Sequence, residues 1–431
     1  MSSNWETVKL GDVTKFQQGK QIELEDQFLE PTNEMLRFVR IIDYTSENEP
    51  PRYIKADKKS SSYVTDEDVV MIRYGSQTAG KVVIGKAGII ANNMFRVIPT
   101  VSYLDRKYLY FYLKTPSVYS YLRGGQSSST MPAITFGLMS SLDIKIPPLP
   151  IQKKIAHILS TLDDKIELNR KMNQTLESMA SAIFKSWFVD FDPVHAKANC
   201  EEEAELENIA KELGISKTIL DIFPSEFEES ELGMIPKGWE VKTIKDFGRV
   251  VTGKTPPSKI EDAYNDDGKP FITPTDIDDS LFLVTTNRHL SANGEIAIKN
   301  TIIPAGSICV TCIGSQMGKT IISPYDACTN QQINSIIVNS NNLRNYLFCN
   351  LRNRKNEIFL MGSGGSTMPL LNKSTFEKMK VLLPQQDILN KFDILVKDKL
   401  LLVLKNDLEN ITLSKIRNNL LPKLLSGEIE V

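Results

Sequence analysis

Shifted by 234 residues the sequence matches itself, and no other feature constrains the fold so strongly. Trp5-Glu6 falls on Trp239-Glu240, Asp12 on Asp246, and Gly19-Lys20 on Gly253-Lys254. Asp43 pairs with Asp276 after one residue of slippage. Gly75-Ser76-Gln77 resembles Gly314-Ser315-Gln316, Gly80-Lys81 resembles Gly318-Lys319, and Thr130-Met131-Pro132 answers Thr367-Met368-Pro369. At the end of each copy the shift is 234 again, with Pro150 on Pro384, Gln152 on Gln386 and Lys165 on Lys399. A period this long is a duplicated domain followed by a duplicated connecting element, not a solenoid.

Each copy has two textures. Residues 1–147 and 232–384 show short apolar runs broken by Gly, Pro, Asn and Ser, such as Val69-Val70-Met71-Ile72 and Ser307-Ile308-Cys309-Val310. These read as strands and turns. Helical stretches are expected near Tyr103 to Leu122 and Leu343 to Leu360, which makes each unit a mixed α/β (α+β) domain. Residues 151–188 and 385–425 lack Gly and Pro over long spans. In the first, Ile155, Ile158, Leu162, Met172, Leu176, Met179 and Ile183 recur on steps of three and four, interrupted by Lys165 and Asn169. In the second, Leu389, Phe392, Val396 and Val403 keep the same steps. That is the seam of a coiled coil, although helices packed on their own domains would show similar spacing. The expected architecture is two duplicated domains, 1–147 and 232–384, joined by two long antiparallel coiled-coil helices at 148–190 and 385–431 with a pseudo-twofold relation. Residues 191–231 should form an acidic linker.

That linker explains a charge of −2. Residues 199–235 carry eleven Asp or Glu against two Lys, a net of −9, so the remainder stands at +7. A mildly basic body suits a polyanionic partner. The start, Met1-Ser2-Ser3-Asn4-Trp5-Glu6, lacks the basic-then-apolar pattern of a secretion signal, and no apolar run reaches membrane-spanning length. Five scattered cysteines, an odd count, suggest reduced thiols and a cytoplasmic home. Cys309 and Cys312 form a lone CxxC inside an apolar run, and core packing explains it better than zinc, which needs four ligands.

Catalytic motifs are wanting. Gly75 to Val82 has phosphate-loop spacing, but Val82 stands where Ser or Thr must hold magnesium; Gly314 to Thr320 has the Thr but is one residue short. Neither a methyltransferase cofactor loop nor a Ser/His/Asp set emerges. Asp276, Asp278 and Asp279 read as loop carboxylates, since the first copy keeps only Asp43 there. The loops do display groups suited to DNA: Gln and Asn can pair with adenine, Arg and Lys with guanine or phosphate. The candidates are Lys20, Gln77, Lys81, Asn92, Asn93 and Arg96 in the first domain. In the second they are Lys254, Thr275, Gln316, Lys319, Asn330, Gln331 and Gln332. Each could equally be an ordinary polar loop residue.

Three phrases carry a resemblance. Ser186-Trp187-Phe188-Val189-Asp190-Phe191-Asp192-Pro193-Val194 ends the first long helix. Leu232-Gly233-Met234-Ile235-Pro236-Lys237-Gly238-Trp239 opens the second copy, and Leu421-Pro422-Lys423-Leu424-Leu425-Ser426-Gly427-Glu428-Ile429 closes the chain. Over essentially its whole length the sequence closely resembles the specificity subunits of type I restriction–modification enzymes. The resemblance implies two target-recognition domains, each reading half of a split double-stranded DNA site, on spacer helices that dock two methyltransferase subunits and are joined by two restriction subunits. S-adenosylmethionine, ATP and Mg2+ would then belong to those partners, and the chain itself would be no enzyme. Trp187 and Phe188 are subunit-docking candidates, with packing against the other long helix as the alternative. The same architecture would serve a fused restriction–methyltransferase system; a catalytic DNA methyltransferase or a coiled-coil scaffold fits the motifs less well.

Overall fold

Val69-Val70-Met71-Ile72 is apolar at every position because both of its faces are covered. Successive side chains of a strand point to opposite faces. Val69 and Met71 enter a core with Tyr108 and Leu109, while Val70 and Ile72 enter a second core with Phe38, Val39, Ile89 and Ile90. The matching strand Ile308–Thr311 does the same: Ile308 and Val310 face one core, Cys309 another. Cys309 and Cys312 are thus buried packing residues.

The computed structural model describes residues 5–46, 49–124, 133–200, 202, 205–363 and 369–431. The repeated Thr130-Met131-Pro132 and the Thr367-Met368 of its counterpart lie outside the described residues. The chain divides into two compact units, Met1–Ile166 with Thr412–Val431, and Glu167–Ile411. Among the described residues no helix is long and apolar enough to cross a membrane.

In the first unit an antiparallel sheet runs in the order Thr14–Gln18, Met94–Pro99, Val69–Ile72, Val82–Ile84. A second sheet contains Arg52–Lys55, Met35–Val39, Gly88–Ile90 and Tyr63–Val64, with Met35–Val39 parallel to Gly88–Ile90. Glu6–Lys9 pairs with Asp143–Ile146. The second unit repeats the main pairings. Its four-stranded sheet runs Gly248–Thr252, Ile333–Val338, Ile308–Thr311, Thr320–Ile322. Lys269–Ile272 lies parallel to Cys328–Thr329, and Glu240–Thr243 pairs with Lys380–Leu383. The duplication seen in the sequence is a duplication of topology in these elements; the second sheets differ at their edges, where Tyr63–Val64 pairs with Gly88–Ile90 in the first unit and Tyr264–Asn265 pairs with His289–Leu290 in the second.

Each helical stretch inside the domains is broken in two. Arg106–Leu113, capped by the Asp105 carboxylate on the Tyr108 amide, is followed by Pro116–Gly124, because a proline disfavours helix in the residue before it. Asn341–Asn353 is likewise followed by Lys355–Gly362.

The long helices are Leu149–Phe188 and Gln386–Ser426. In the first unit Ile155, Ala156 and Leu159 share a core with Leu421, Leu424 and Leu425, and Asp163 pairs with Arg417 at 2.5 Å. In the second unit Asn169 meets Asn410 at 3.0 Å and Asn173 meets Asp407 at 2.8 Å. One helix ascends in number as the other descends, so within each unit the pairing is antiparallel. The seam differs from expectation in phase. Leu389, Phe392, Val396 and Val403 are buried and Asn169 lies in the seam as expected, but Met172 and Met179 are exposed, and Asn173 and Ala180 occupy the seam.

The acidic stretch is folded, not a bare linker. Asp192–Ala198, Leu206–Glu212 and Lys217–Asp221 are helices, and Phe227–Ser230 pairs with Gly233–Pro236. Apolar residues spaced among the glutamates make this possible: Val194, Ala210, Leu220 and Phe223 are buried. Phe191 adopts a left-handed φ of 53° at the turn out of the long helix, its ring between those of Phe227 and Trp239.

Candidate nucleic-acid interface

One end of each four-stranded sheet gathers three chain segments through backbone hydrogen bonds. In the second domain the Gly253 amide donates to Ile333 at 3.1 Å, the Lys254 amide to Thr329 at 2.8 Å, and the Cys312 amide to Gln332 at 2.8 Å. In the first, Gly19 donates to Met94 at 3.0 Å, Lys20 to Ile90 at 2.9 Å, and Arg73 to Asn93 at 2.8 Å. The sequence turns Gly75 to Lys81 and Gly314 to Lys319 each close a hairpin between two strands. A phosphate-binding loop instead leads from a strand into a helix, so both lookalikes are display turns; Gly314 and Gly318, at φ of 89° and 88°, take backbone shapes that other residues rarely adopt.

In the second domain a groove of about 470 Å3 opens between this end and the sheet that holds Lys269–Ile272 and Cys328–Thr329. It brings together Thr275, Gln316, Asn330 and Gln332 among the expected residues, with Ser315 and Arg288 beside them. The Asn330 side-chain amide donates to Gln332 Oε1 at 2.9 Å, which orients both. Gln331 and Lys254 are exposed, and Gln331 Oε1 accepts from the Thr255 hydroxyl at 2.8 Å. Lys319 is half-buried, its Nζ donating to the Ile277 carbonyl at 3.0 Å, and does not line the groove.

In the first domain Lys20, Gln77, Lys81 and Asn92 are exposed and Asn93 is half-buried. Asn92 Nδ2 donates to Gln21 Oε1 at 2.9 Å. Arg96 differs from expectation. It lies within its strand, opposite Gln17 and Val70, and its guanidinium is held by Asp68 at 2.8 Å. Burial pushes the Asp68 carboxyl up, but hydrogen bonds from Thr65 and Arg96 outweigh it and hold the acid below its ordinary value. Arg96 serves the frame. Asp43 and Asp276 are a repeated staple: Asp43 accepts from the Arg40 amide at 2.7 Å, and Asp276 from the Thr273 amide at 2.8 Å.

Three arginines were not singled out by the sequence. Arg73 lies over the Tyr74 and Phe136 rings at 5.0 and 5.5 Å and donates to Gln18 Oε1 at 2.8 Å. Arg288 lies 5.1 Å from both the Tyr264 and Phe271 rings. Arg52 occupies the strand opposite Phe38. Each sits in a strand or directly beside one rather than in a glycine-rich turn, and only strand register marks its place.

Trp187 and Phe188, the expected docking pair, are buried at 2% and 6% exposure. Trp187 packs on Phe223 at 5.0 Å, and Phe188 on Tyr346 and Phe392 at 4.9 and 5.1 Å. Phe392 belongs to the second long helix, so the alternative of packing between helices is the one realised. Their apolar surface is used up inside the second unit and is not offered to a partner. Leu168, Met172 and Met179 remain exposed instead, at spacings that share one helix face.

The type I restriction modification DNA specificity domain model matches residues 2–178 and again 236–410. The chain is 36% identical over 374 residues to the type I restriction enzyme HindI specificity subunit of Haemophilus influenzae, covering 79% of this chain and 81% of that protein. It is 28% identical to the MjaIX specificity subunit of Methanocaldococcus jannaschii over 90% of this chain and 84% of that one. The crystal structure of a type I restriction–modification S subunit from M. genitalium shares the fold, with a TM-score of 0.59 and 14% identity over 98% of this chain and 96% of that one.

Proposed function

The chain belongs to the family of type I restriction–modification DNA specificity subunits, and on that premise we propose how its recognition of DNA sequence is divided. Each recognition domain reads one half of a split double-stranded site, and the chain performs no methylation, ATP hydrolysis or cleavage itself. The observation that carries this reading is the repeated end-of-sheet constellation: the same backbone frame in both domains, with Lys20 and Gln77 matched by Lys254 and Gln316, but with Ala91, Asn92 and Asn93 where the second domain has Asn330, Gln331 and Gln332. A shared frame docks on DNA alike, and different side chains prefer different bases, so the site should be asymmetric. Lys20, Gln77, Lys81, Asn92 and Asn93, and Lys254, Thr275, Gln316, Asn330, Gln331 and Gln332, form the proposed contact surface.

Two methyltransferase subunits, holding S-adenosylmethionine, and two restriction subunits, using ATP and Mg2+, supply the chemistry. The exposed stripe of Leu168, Met172 and Met179 supports docking on the long helices. The test is assembly of the chain with its methyltransferase subunits, followed by sequencing of methylated bases. A split, asymmetric motif is expected from the assembly and no methyl transfer from the chain alone. A continuous motif, or transfer by the purified chain, would refute the reading.

A further inference from the structure

Strand register places one arginine at the same position of both domains. The Phe271 amide donates to the Arg288 carbonyl at 3.0 Å, and Phe271 lies beside Cys328 in the parallel pair. In the first domain Phe38 lies opposite Arg52 and beside Ile89 in the parallel pair. The Lys20 and Lys254 amides, bonded to Ile90 and Thr329, fix the residues that follow Ile89 and Cys328 as equivalents. The position keeps its arginine although its surroundings do not: the frame residue Arg40 of the first domain is Thr273 in the second.

Among the described residues neither arginine has a carboxylate partner, whereas Arg40, Arg96, Arg352 and Arg354 all do. The Nε of Arg52 is buried with no hydrogen-bond partner. Arg288 is exposed, and its guanidinium lies close to two aromatic rings set at 66° to each other. Aromatic contact restrains a guanidinium plane and leaves its N–H fork free. The lining of the groove that Arg288 enters includes Thr275, Gln316 and Gln332, groups suited to base edges, while Lys254 and Lys319 are not among its lining residues.

We infer that Arg288 and Arg52 are specificity-determining residues, each taking the O6/N7 edge of a guanine in its own half-site. The inference rests on the reading of the chain as a DNA recognition subunit. A fork of two parallel N–H donors matches those two acceptors, and a correct bidentate pair discriminates by roughly 10- to 100-fold.

The experiment is base-resolved methylation sequencing of the full chain assembled with its methyltransferase subunits, as wild type, Arg288→Ala and Arg52→Ala. Each half-site of the wild type should contain a guanine. Arg288→Ala should relax that position in one half-site and leave the other intact, and Arg52→Ala should do the converse. A wild-type half-site without guanine overturns the inference. So does equal weakening of all sites with unchanged preference and a shallower salt dependence, the signature of a phosphate contact. If an alanine variant folds but is inactive, binding of Arg288→Gln to half-sites varied at the guanine decides: a loss equal for all four bases overturns the inference, and a loss confined to guanine supports it. Failure of the wild-type assembly to methylate any split sequence would instead sink the underlying reading.

Discussion

Gly19 and Gly253 lack side chains because backbone carbonyls occupy the place where one would go. A Cβ on Gly253 would lie 2.2 Å from the carbonyl oxygens of both Thr329 and Asn330, and one on Gly19 would lie 2.2 Å from that of Ala91. Those carbonyls belong to strand ends and cannot swing aside. Gly253→Ala should therefore cost about 1–3 kcal/mol by forced displacement and splay the groove; thermal unfolding of the full chain checks it, and an unchanged midpoint would contradict it. The pairing of Gly19-Lys20 with Gly253-Lys254 was legible in the sequence, since identity survives where backbone leaves no choice. Trp187 was half legible. Its spacing placed it at a helix end, but Phe223, which packs on it, lies across the acidic stretch, and pairwise packing over that distance has no period to betray it. Trp187→Ala should cost roughly 3–5 kcal/mol of stability. If the folded variant instead keeps its melting midpoint and loses only subunit assembly, the buried role is wrong.

The long helices show why a period is easier to read than its phase. Steps of three and four identify two seams, yet Met172 and Met179, the more apolar choices, face solvent while Asn173 is buried beside them. Asn173 is satisfied across the seam: its amide donates to Asp407 at 2.8 Å and its carbonyl oxygen accepts from Asn406 at 2.8 Å. Buried polar groups are tolerated when paired, and hydropathy along one strand of sequence cannot see the partner. Asn173→Ala should cost about 1–3 kcal/mol, because Asp407 and Asn406 lose their partner. The same seam should respond to pH. Burial pushes Glu177 up to about 6, overriding Arg352 at 3.2 Å, with Asp407 and Asp278 adding to the rise. Burial and then Asp278 push Asp407 up to about 6 against its hydrogen bond from Asn173. Raised acids carry a penalty that is full above the folded value and vanishes below the ordinary values of 4.5 and 3.8. Lowering the pH from about 7.5 to about 5 should thus stabilise the second unit, and Glu177→Gln should flatten that response. Hydrogen exchange of amides in 167–188 and 386–411, followed across this range, would contradict the assignment if protection fell on acidification.

At the scale of the whole molecule the repeat foretold two copies of one topology, because residues that turn a chain or close a ladder recur in order even when the side chains on display do not. Lys20 and Lys254, and Gln77 and Gln316, recur with that frame and were legible, whereas Arg52 and Arg288 are paired only through strand register, which the repeat in the sequence does not display. Modularity follows from this, with one physical condition. The core of the first domain is not closed by residues 1–147 alone; Ile155, Ala156 and Leu159 and then Leu421, Leu424 and Leu425 complete it. The second domain is closed by Ala180, Phe184, Trp187 and Phe188 with Leu389, Phe392 and Val396. The two sets share no residue, so changes in one core should add to changes in the other without coupling. Replacing 1–147 with the matching domain of a relative should therefore change one half-site, provided the donor packs on the same helix residues. A donor that packs poorly should lower the stability of the first unit and leave exchange protection in the second unchanged. Sequencing methylated sites from the swapped assembly checks the first outcome, and exchange in 232–384 checks the second. A swap that changed both half-sites, or that loosened the second domain, would mean that recognition is coupled through the helices, and the independence argued from the two separate cores would be wrong.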